Sequence, residues 1–218
     1  MNTFSAGEMI KFGWETFKKR PWLFVGVTLA ITIANSLVSR TFPGVSWTEQ
    51  TGLLISTRYI AGTVINYLFQ IFVAMGTIAF YLKAHDDVAL AHVKDLWHPE
   101  PFLRYLGLSL LLLVILGIGF VLLIIPGIIL SLMFQFAPYL VIDKGMGPIE
   151  ALKESARMTS GYKWNLVRFN VVLIGVVILG AICLVVGLLA AIPVMYLAIA
   201  HVYRTLGTAP AETVAVQL

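Results

Sequence analysis

Long stretches without a single charged residue constrain this chain more than any other feature. Residues 22–38, 59–82 and 105–125 contain no Asp, Glu, Lys or Arg. A helix rises about 1.5 Å per residue, so the longest of these runs reaches about 36 Å, enough to cross the roughly 30 Å hydrocarbon layer of a bilayer. Each run therefore predicts a membrane-spanning helix, and a mean hydropathy of +0.91 argues against a water-soluble globule.

Apolar sequence also continues beyond proline in two places. The run 105–125 is followed by Pro126 and Gly127 and then by further apolar residues, which predicts a tight hairpin at Pro126-Gly127. Later, the apolar run 166–189 is followed by Pro193, which predicts a second hairpin or a kink. Pro138 interrupts the first returning helix, so a partial or broken span is expected there. We expect six spans, with four or five as the alternative.

The basic residues predict the orientation of these spans. If both termini face the cytoplasm, all 15 Lys and Arg residues except Arg40 and Arg58 lie on the inner side. Inner loops of membrane proteins carry such an excess of Lys and Arg. The expected location is the bacterial cytoplasmic (inner) membrane, and the basic charge then requires no nucleic acid as partner.

Three segments alternate apolar and charged residues at helical spacing: 5–20, 86–97 and 148–159. They predict three amphipathic helices on the inner surface, each followed by an outgoing and a returning span. The fold class is thus an all-α integral membrane protein, divided into parallel units of roughly 5–84, 86–143 and 148–206. Either true repeats or the general needs of a multi-pass protein explain this pattern. Residues 1–206 are expected to form a single membrane domain, and 207–218 a flexible cytoplasmic tail.

Five short stretches along the chain form a recognisable pattern: 13–18 (GWETFK), 125–130 (IPGIIL), 136–143 (FAPYLVID), 150–155 (EALKES) and 200–204 (AHVYR). They resemble uncharacterised bacterial membrane proteins related to the membrane domain that precedes some glycerophosphodiester phosphodiesterases. The resemblance implies a six-helix membrane protein and brings no activity with it, because it does not extend to the phosphodiesterase domain.

Candidate binding residues are uncharged polar side chains within the spans. Asn66 and Gln70 are four residues apart and share one helix face, which should point into the bundle because amides facing lipid are costly. Hydrogen bonds between helices explain such residues, and a polar cavity for a solute or a lipid head group is the alternative. The full intramembrane polar set is Asn35, Asn66, Gln70, Gln135, Asn170 and His201.

The basic residues of the amphipathic segments are candidate contacts for anionic lipid phosphates, although topology alone also accounts for their charge. This set is Lys11, Lys18, Lys19, Arg20, Lys153, Arg157 and Lys163.

Signs of catalysis are sparse. The spans contain no Asp or Glu at depth, and Asp143 at a span end and His201 are the only candidates for an enzyme that acts on lipid. His85, His92 and His98 lack the spacing of a metal site, so neither a metal nor a cofactor is expected. The sequence favours a non-enzymatic scaffold or lipid-interacting subunit, with membrane lipids and either a second copy or another membrane protein as partners. The alternative is a small transporter or channel with a polar path between its helices.

Overall fold

The computed structural model describes residues 5–42 and 57–208, except for the side chains of residues 57–59 and 184–186. Within these ranges the chain is helical and has no strand, which confirms the all-α fold class. A short 3-10 helix, Val93–Leu96, lies between α3 and α4. The α-helices are α1 (Ala6–Lys19), α2 (Pro21–Thr41), α3 (Thr57–Asp86), α4 (Phe102–Leu122), α5 (Ile124–Phe134), α6 (Ala137–Lys144), α7 (Pro148–Thr159), α8 (Lys163–Ile182) and α9 (Leu184–Gly207).

Six stretches are long and apolar enough to cross a membrane, as the sequence predicted. They are Pro21–Thr41, Ile60–Asp86, Phe102–Leu122, Ile124–Lys144, Lys163–Ile182 and Gly187–Gly207. Much of their apolar surface is exposed, as a lipid-facing bundle requires: Leu113 of α4 and Leu179 of α8, for example, are 63% and 64% exposed.

Helix α9 lies at the centre of the bundle, against α1, α2, α3 and α8. Leu197, Ala198 and Ala200 are completely buried there. Helix α1 crosses α9 so closely that a Cβ atom on Gly13 would lie 2.6 Å from the carbonyl oxygen of Val194. The less polar face of the amphipathic helix α1 is therefore buried against a membrane span.

The middle amphipathic helix, expected over 86–97, does not form. Helix α3 ends at Asp86, and this segment is irregular apart from the 3-10 helix Val93–Leu96. A Cβ atom on Gly76 would lie 2.0 Å from the carbonyl oxygen of Leu96, so the segment packs directly on the α3 backbone. The carbonyl oxygens of Val88, Ala89 and Ala91 accept hydrogen bonds from the Arg20 side chain, so Arg20 holds this segment in an irregular conformation.

Both predicted hairpins turn earlier than expected. The first turn is at Leu123, and Pro126 and Gly127 lie in the first turn of α5, where a helix tolerates proline. The second turn is at Cys183, so the outgoing span is shorter than the apolar run 166–189 and Pro193 lies inside α9. Apolar composition did not mark either turn because the residues on both sides are equally apolar.

Pro138 was placed correctly at a break in the fourth span. Helix α5 ends at Phe134, and α6 begins at Ala137. The hydroxyl of Ser155, on α7, donates a hydrogen bond to the carbonyl oxygen of Met133 at 2.8 Å and accepts one from the N–H of Phe136 at 3.3 Å. Helix α7 thus supplies hydrogen bonds that the broken helix does not make within itself.

Gly161 follows the end of α7 at Thr159. Its φ angle of +84° lies in the left-handed region, which glycine adopts without strain. The predicted tail begins inside α9, which ends at Gly207, and its residues 209–218 lie outside the described residues.

Candidate functional site

A polar cavity of about 200 Å³ lies between α2, α3 and α9. Among the residues that the structure describes, its lining includes no charged side chain, and both polar and aliphatic side chains contribute to it. Thr28 and Thr77 are buried, whereas Thr32 and Gln70 are exposed at the outside of the bundle. The polar lining residues are Thr28, Thr32 and Asn35 of α2, Gln70, Thr77 and Tyr81 of α3, and Tyr196 of α9.

An amide pair joins the two helices that flank this cavity. The Nε2 of Gln70 donates a hydrogen bond of 3.1 Å to Oδ1 of Asn35. Each primary amide has two N–H donors and two acceptor lone pairs, so one such bond leaves both side chains with further hydrogen-bonding capacity. The pair therefore both holds α2 to α3 and offers polar groups to a ligand.

The threonine hydroxyls of the cavity donate to their own helices. Thr28 donates to the carbonyl oxygen of Phe24 at 2.9 Å, and Thr32 to that of Thr28 at 2.8 Å. Thr77 donates to the carbonyl oxygen of Val73 at 2.7 Å. With their protons used in this way, the hydroxyl oxygens present lone pairs and act as acceptors.

Aromatic rings form part of the cavity wall. Tyr81 and Tyr196 line the cavity. Tyr81 is 1% exposed and its ring stacks on Phe24, with centroids 6.0 Å apart, and on Tyr196, with centroids 4.9 Å apart. We refer to Phe24, Tyr81 and Tyr196 as the aromatic stack.

The predicted intramembrane polar residues do not form one cluster. Asn35 and Gln70 line the cavity. Asn66 lies one helical turn before Gln70 on α3 and binds the end of α2. Its Oδ1 accepts a hydrogen bond from Ser39 at 3.3 Å, and its Nδ2 donates to the carbonyl oxygen of Phe42. Asn66 was therefore correctly expected to face a neighbouring helix, but it is not part of the cavity lining.

Gln135 and Asn170 form a second amide pair elsewhere. The Nδ2 of Asn170 donates a hydrogen bond of 3.2 Å to Oε1 of Gln135, and so joins α8 to the break between α5 and α6. The Nε2 of Gln135 is buried without a hydrogen-bond partner among the residues that the structure describes. This pair has the same chemistry as Asn35 and Gln70 but does not line the polar cavity.

The ends of α3, α6 and α9 meet at what we call the charged end of the bundle. Arg204 bridges two carboxylates there, with Nη2 2.7 Å from Oδ2 of Asp86 and Nη1 2.7 Å from Oδ2 of Asp143. The Tyr203 hydroxyl donates to the same Asp143 oxygen at 2.8 Å. Asp143, whose side chain is 18% exposed, is thus held by an ion pair rather than free in solvent.

His201 lies at this charged end, next to a histidine that is 116 residues away in sequence. Its Nδ1 is 2.9 Å from Nε2 of His85, and Nδ1 of His85 is 3.0 Å from Oδ1 of Asp86. The ring of Phe12 stacks on His201 with centroids 3.9 Å apart. Within the described residues, no group of three or more His, Cys, Asp or Glu side chains is placed to hold a metal ion.

Some of the predicted lipid contacts are occupied by the protein itself. Arg20 donates to backbone carbonyl oxygens between α3 and α4, including that of Val88 at 3.1 Å. Arg157 is 2.6 Å from Glu154, and its hydrogen bond lowers the pKa of that carboxyl. Lys11 lies 4.0 Å from Glu15 in an exposed pair. The remaining four lysines are exposed: Lys18, Lys19, Lys153 and Lys163.

The sequence reasoning missed several residues of these sites. Tyr81, Tyr196 and Thr77 belong to apolar runs, and only helical spacing from Gln70 indicates that Thr77 and Tyr81 share its face of α3. Asp86 was read as part of a separate amphipathic segment. No sequence signal links His85 to His201.

The chain is similar to uncharacterised proteins. Relatives include the uncharacterized protein Rv2560 of Mycobacterium tuberculosis (strain H37Rv) and the uncharacterized protein Mb2590 of Mycobacterium bovis. Each is 24% identical over 227 aligned positions, which cover 93% of this chain and 69% of the relative. No solved structure matches the chain.

A family match covers the second part of the chain. Residues 104–209, from α4 to just beyond α9, match the family described as "Protein of unknown function (DUF975)". These matches include no link to glycerophosphodiester phosphodiesterases. The comparisons therefore relate this chain, as a multi-pass membrane protein, to the uncharacterised DUF975 family over just under half of its length.

Proposed function

We propose that this protein is a non-enzymatic, lipid-interacting protein of the bacterial cytoplasmic membrane that binds the polar part of a lipid in the cavity between α2, α3 and α9. The observation that carries this proposal is a cavity lined by uncharged polar groups within the predicted spans. Ionisable side chains gather at the charged end instead, which supports a binding role rather than catalysis at the cavity.

The exposure of the rim supports access from the bilayer. Thr32 and Gln70 are exposed although they lie within the candidate spans Pro21–Thr41 and Ile60–Asp86. A polar group that faces hydrocarbon without a partner costs free energy, on the order of 2 kcal/mol or more. The ester or hydroxyl region of a lipid that enters sideways would satisfy these groups while its acyl chains stay in the bilayer.

The lining also favours an uncharged group over a phosphate. Burial of an anion requires a paired cation, and the cavity has no Lys or Arg. Exposed Lys18, Lys19, Lys153 and Lys163 would instead contact anionic head groups at the membrane surface. The distribution of basic residues favours an orientation in which the charged end of the bundle and both termini face the cytoplasm.

A small transporter is the second candidate. The polar contacts between α2 and α3 continue beyond the cavity to Ser39 and Asn66, and Pro193 lies inside α9 next to the lining residue Ile192. Broken or kinked helices beside a polar site are typical of transporters. Tyr81 and Tyr196 line the cavity and stack on each other, so transport past these rings would require one of them to move. The resemblance to membrane proteins related to the membrane domain of glycerophosphodiester phosphodiesterases does not favour either lipid binding or transport.

Lipid retention in two matched double variants tests the proposal. Asn35→Leu/Gln70→Leu removes the amide pair of the cavity, and Gln135→Leu/Asn170→Leu removes the pair of the same chemistry at the break in the fourth span. Lipids that remain with each protein after purification in mild detergent are identified by mass spectrometry, after size-exclusion chromatography has shown that the variant is folded. We expect only the cavity variant to lose the lipid. Equal retention by both variants would rule out the cavity as the site, and flux into vesicles without lipid retention would favour transport.

A further inference from the structure

The hydrogen bonds of His85 determine which of its nitrogens carries a proton. An ionised carboxylate only accepts, so Nδ1 of His85 must donate to Oδ1 of Asp86, 3.0 Å away. In the neutral ring Nε2 is then bare and accepts, and the facing Nδ1 of His201, 2.9 Å away, must carry the proton of that bond. The Nε2 of His201 remains without a proton.

The surrounding network has an unbalanced charge. Asp86 and Asp143 contribute two negative charges, and Arg204, which contacts both, contributes one positive charge. With both imidazoles neutral, the five side chains carry a net charge of −1. One additional positive charge on the histidine pair would make the network neutral.

We propose that the charged end is a proton-binding site in which His85 and His201 together hold one additional proton. The proton forms an N–H bond at Nε2 of His201. The proton of His201 Nδ1 passes along the existing hydrogen bond to Nε2 of His85, so one N–H bond breaks as another forms. The positive charge then lies on His85, beside Asp86, and the two rings remain hydrogen-bonded.

A second proton does not fit this arrangement. It would place an N–H group on each of the two facing nitrogens, which are only 2.9 Å apart, and two positive rings next to each other. The pair would have to separate. The site therefore holds one proton and rejects a second while α3 and α9 keep their present positions.

The other charged groups nearby do not supply the missing charge. On α3, Lys83 is paired with Asp95 at 2.7 Å, and Asp87, just after α3, accepts a hydrogen bond from the N–H of Ala89. On α6, Lys144 is exposed to solvent. On α7, Glu154 is paired with Arg157. Helix α1 presents the uncharged ring of Phe12 to His201, a face that favours a cation. The charged side chains of α1, namely Glu8, Lys11, Glu15, Lys18 and Lys19, are exposed.

Nuclear magnetic resonance of the protein with 15N-labelled histidine tests this proposal between pH 8 and pH 5. His92 and His98, which lie in the segment between α3 and α4, are not part of the pair and serve as internal references. We expect His85 and His201 to take up one proton between them, with the signal of the shared N–H···N bond preserved. Both His201→Gln and His85→Gln should abolish the signal of the shared hydrogen bond, because each removes one of its two rings. The signals of His92 and His98 should not change in either variant.

Three results would overturn the proposal. One is the uptake of two protons by the pair with loss of the shared signal, and another is a pair that stays neutral throughout. The third is a shift of both rings by stoichiometric Zn²⁺ that a chelator reverses, which would make the pair a metal site. None of these depends on lipid binding, so this result and that for the cavity are independent.

Discussion

The Oγ of Ser155 accepts a hydrogen bond of 3.3 Å from the backbone N–H of Phe136, 19 residues earlier in the chain. The same hydroxyl donates to the carbonyl oxygen of Met133 at 2.8 Å. An amphipathic helix thus bridges the break in the fourth membrane span. Such a bridge explains why a segment with four charged residues is packed against the bundle through Ala151, Ser155 and Thr159.

Ser155→Ala should destabilise the protein by about 1–3 kcal/mol, because the buried N–H of Phe136 loses this partner. The carbonyl oxygen of Met133 keeps a hydrogen bond from Thr159. Thermal unfolding in detergent measures the effect. Ser131→Ala is the control, since the Ser131 hydroxyl donates only to the carbonyl oxygen of Ile128 in its own helix. Equal melting temperatures for the two variants would show that the bridge contributes nothing to stability.

Gly76→Ala should displace the segment that contains the 3-10 helix. The new Cβ would lie 2.0 Å from the carbonyl oxygen of Leu96, and a backbone atom cannot rotate away as a side chain does. Overpacking of this kind costs typically about 1–3 kcal/mol. Limited proteolysis between α3 and α4 should therefore become faster.

Gly175→Ala provides the control for that substitution. Nothing lies within 4 Å of its Cβ position, and alanine is the better helix former. This variant should be as resistant to proteolysis as the wild type. If Gly76→Ala were as resistant to proteolysis as Gly175→Ala, the result would contradict the close packing of Leu96 on Gly76.

Arg204→Gln should lower stability much more than Arg157→Gln. Arg204 bridges two carboxylates on different helices and is 30% exposed, whereas Arg157 pairs with one carboxylate on its own helix and is 53% exposed. An exposed pair contributes at most about 1 kcal/mol. Loss of Arg204 removes hydrogen bonds to two carboxylates, one of which, Asp143, is only 18% exposed, so the cost should exceed about 1 kcal/mol. Chemical unfolding of both variants in the same detergent measures the difference, and a similar loss in each would contradict the network.

Asp95 should give the protein a stability that is lost in acid. Burial raises the pKa of the Asp95 carboxyl, but hydrogen bonds from the Lys83 ammonium and the His92 backbone N–H outweigh it and hold the pKa below its ordinary value. The contribution is therefore complete above the unfolded value of about 3.9 and is lost as the pH falls through the lower folded value.

Comparison with Asp95→Asn isolates this contribution. The wild type should melt at a higher temperature than the variant at pH 7 and at pH 5, and the gap should narrow at pH 3. A gap that grows on acidification would mean that the carboxyl is destabilising in the folded state.

The sequence was sufficient for the number of spans and only in part for the facing of the amides. Length and apolar composition determine whether a helix crosses a bilayer, so the six spans followed directly. Asn66 and Gln70 both hydrogen-bond to α2, but Gln70 is exposed at the outside of the bundle, although the sequence predicted that it points inward. Pro138 marked a real break because a proline near a helix start cannot continue the hydrogen bonds of a preceding turn.

Other features depend on contacts that no local pattern encodes. The turns at Leu123 and Cys183 interrupt uniformly apolar sequence, so composition does not mark where one helix ends and the next begins. The pairing of His85 with His201 joins two helices through tertiary packing alone. The sequence placed Asp86 at the start of a new helix. Its partner Arg204 lies 118 residues later, so no local pattern indicated that Asp86 belongs to the charged end of the bundle.

Native mass spectrometry of the wild-type protein and the two amide double variants, released from mild detergent, tests the central claim most directly. We predict that the wild type and Gln135→Leu/Asn170→Leu retain a lipid without a charged head group, and that Asn35→Leu/Gln70→Leu does not. The same spectra give the number of subunits. A wild-type protein that carries no lipid, or an Asn35→Leu/Gln70→Leu variant that carries as much as the wild type, would contradict the proposed role of the cavity.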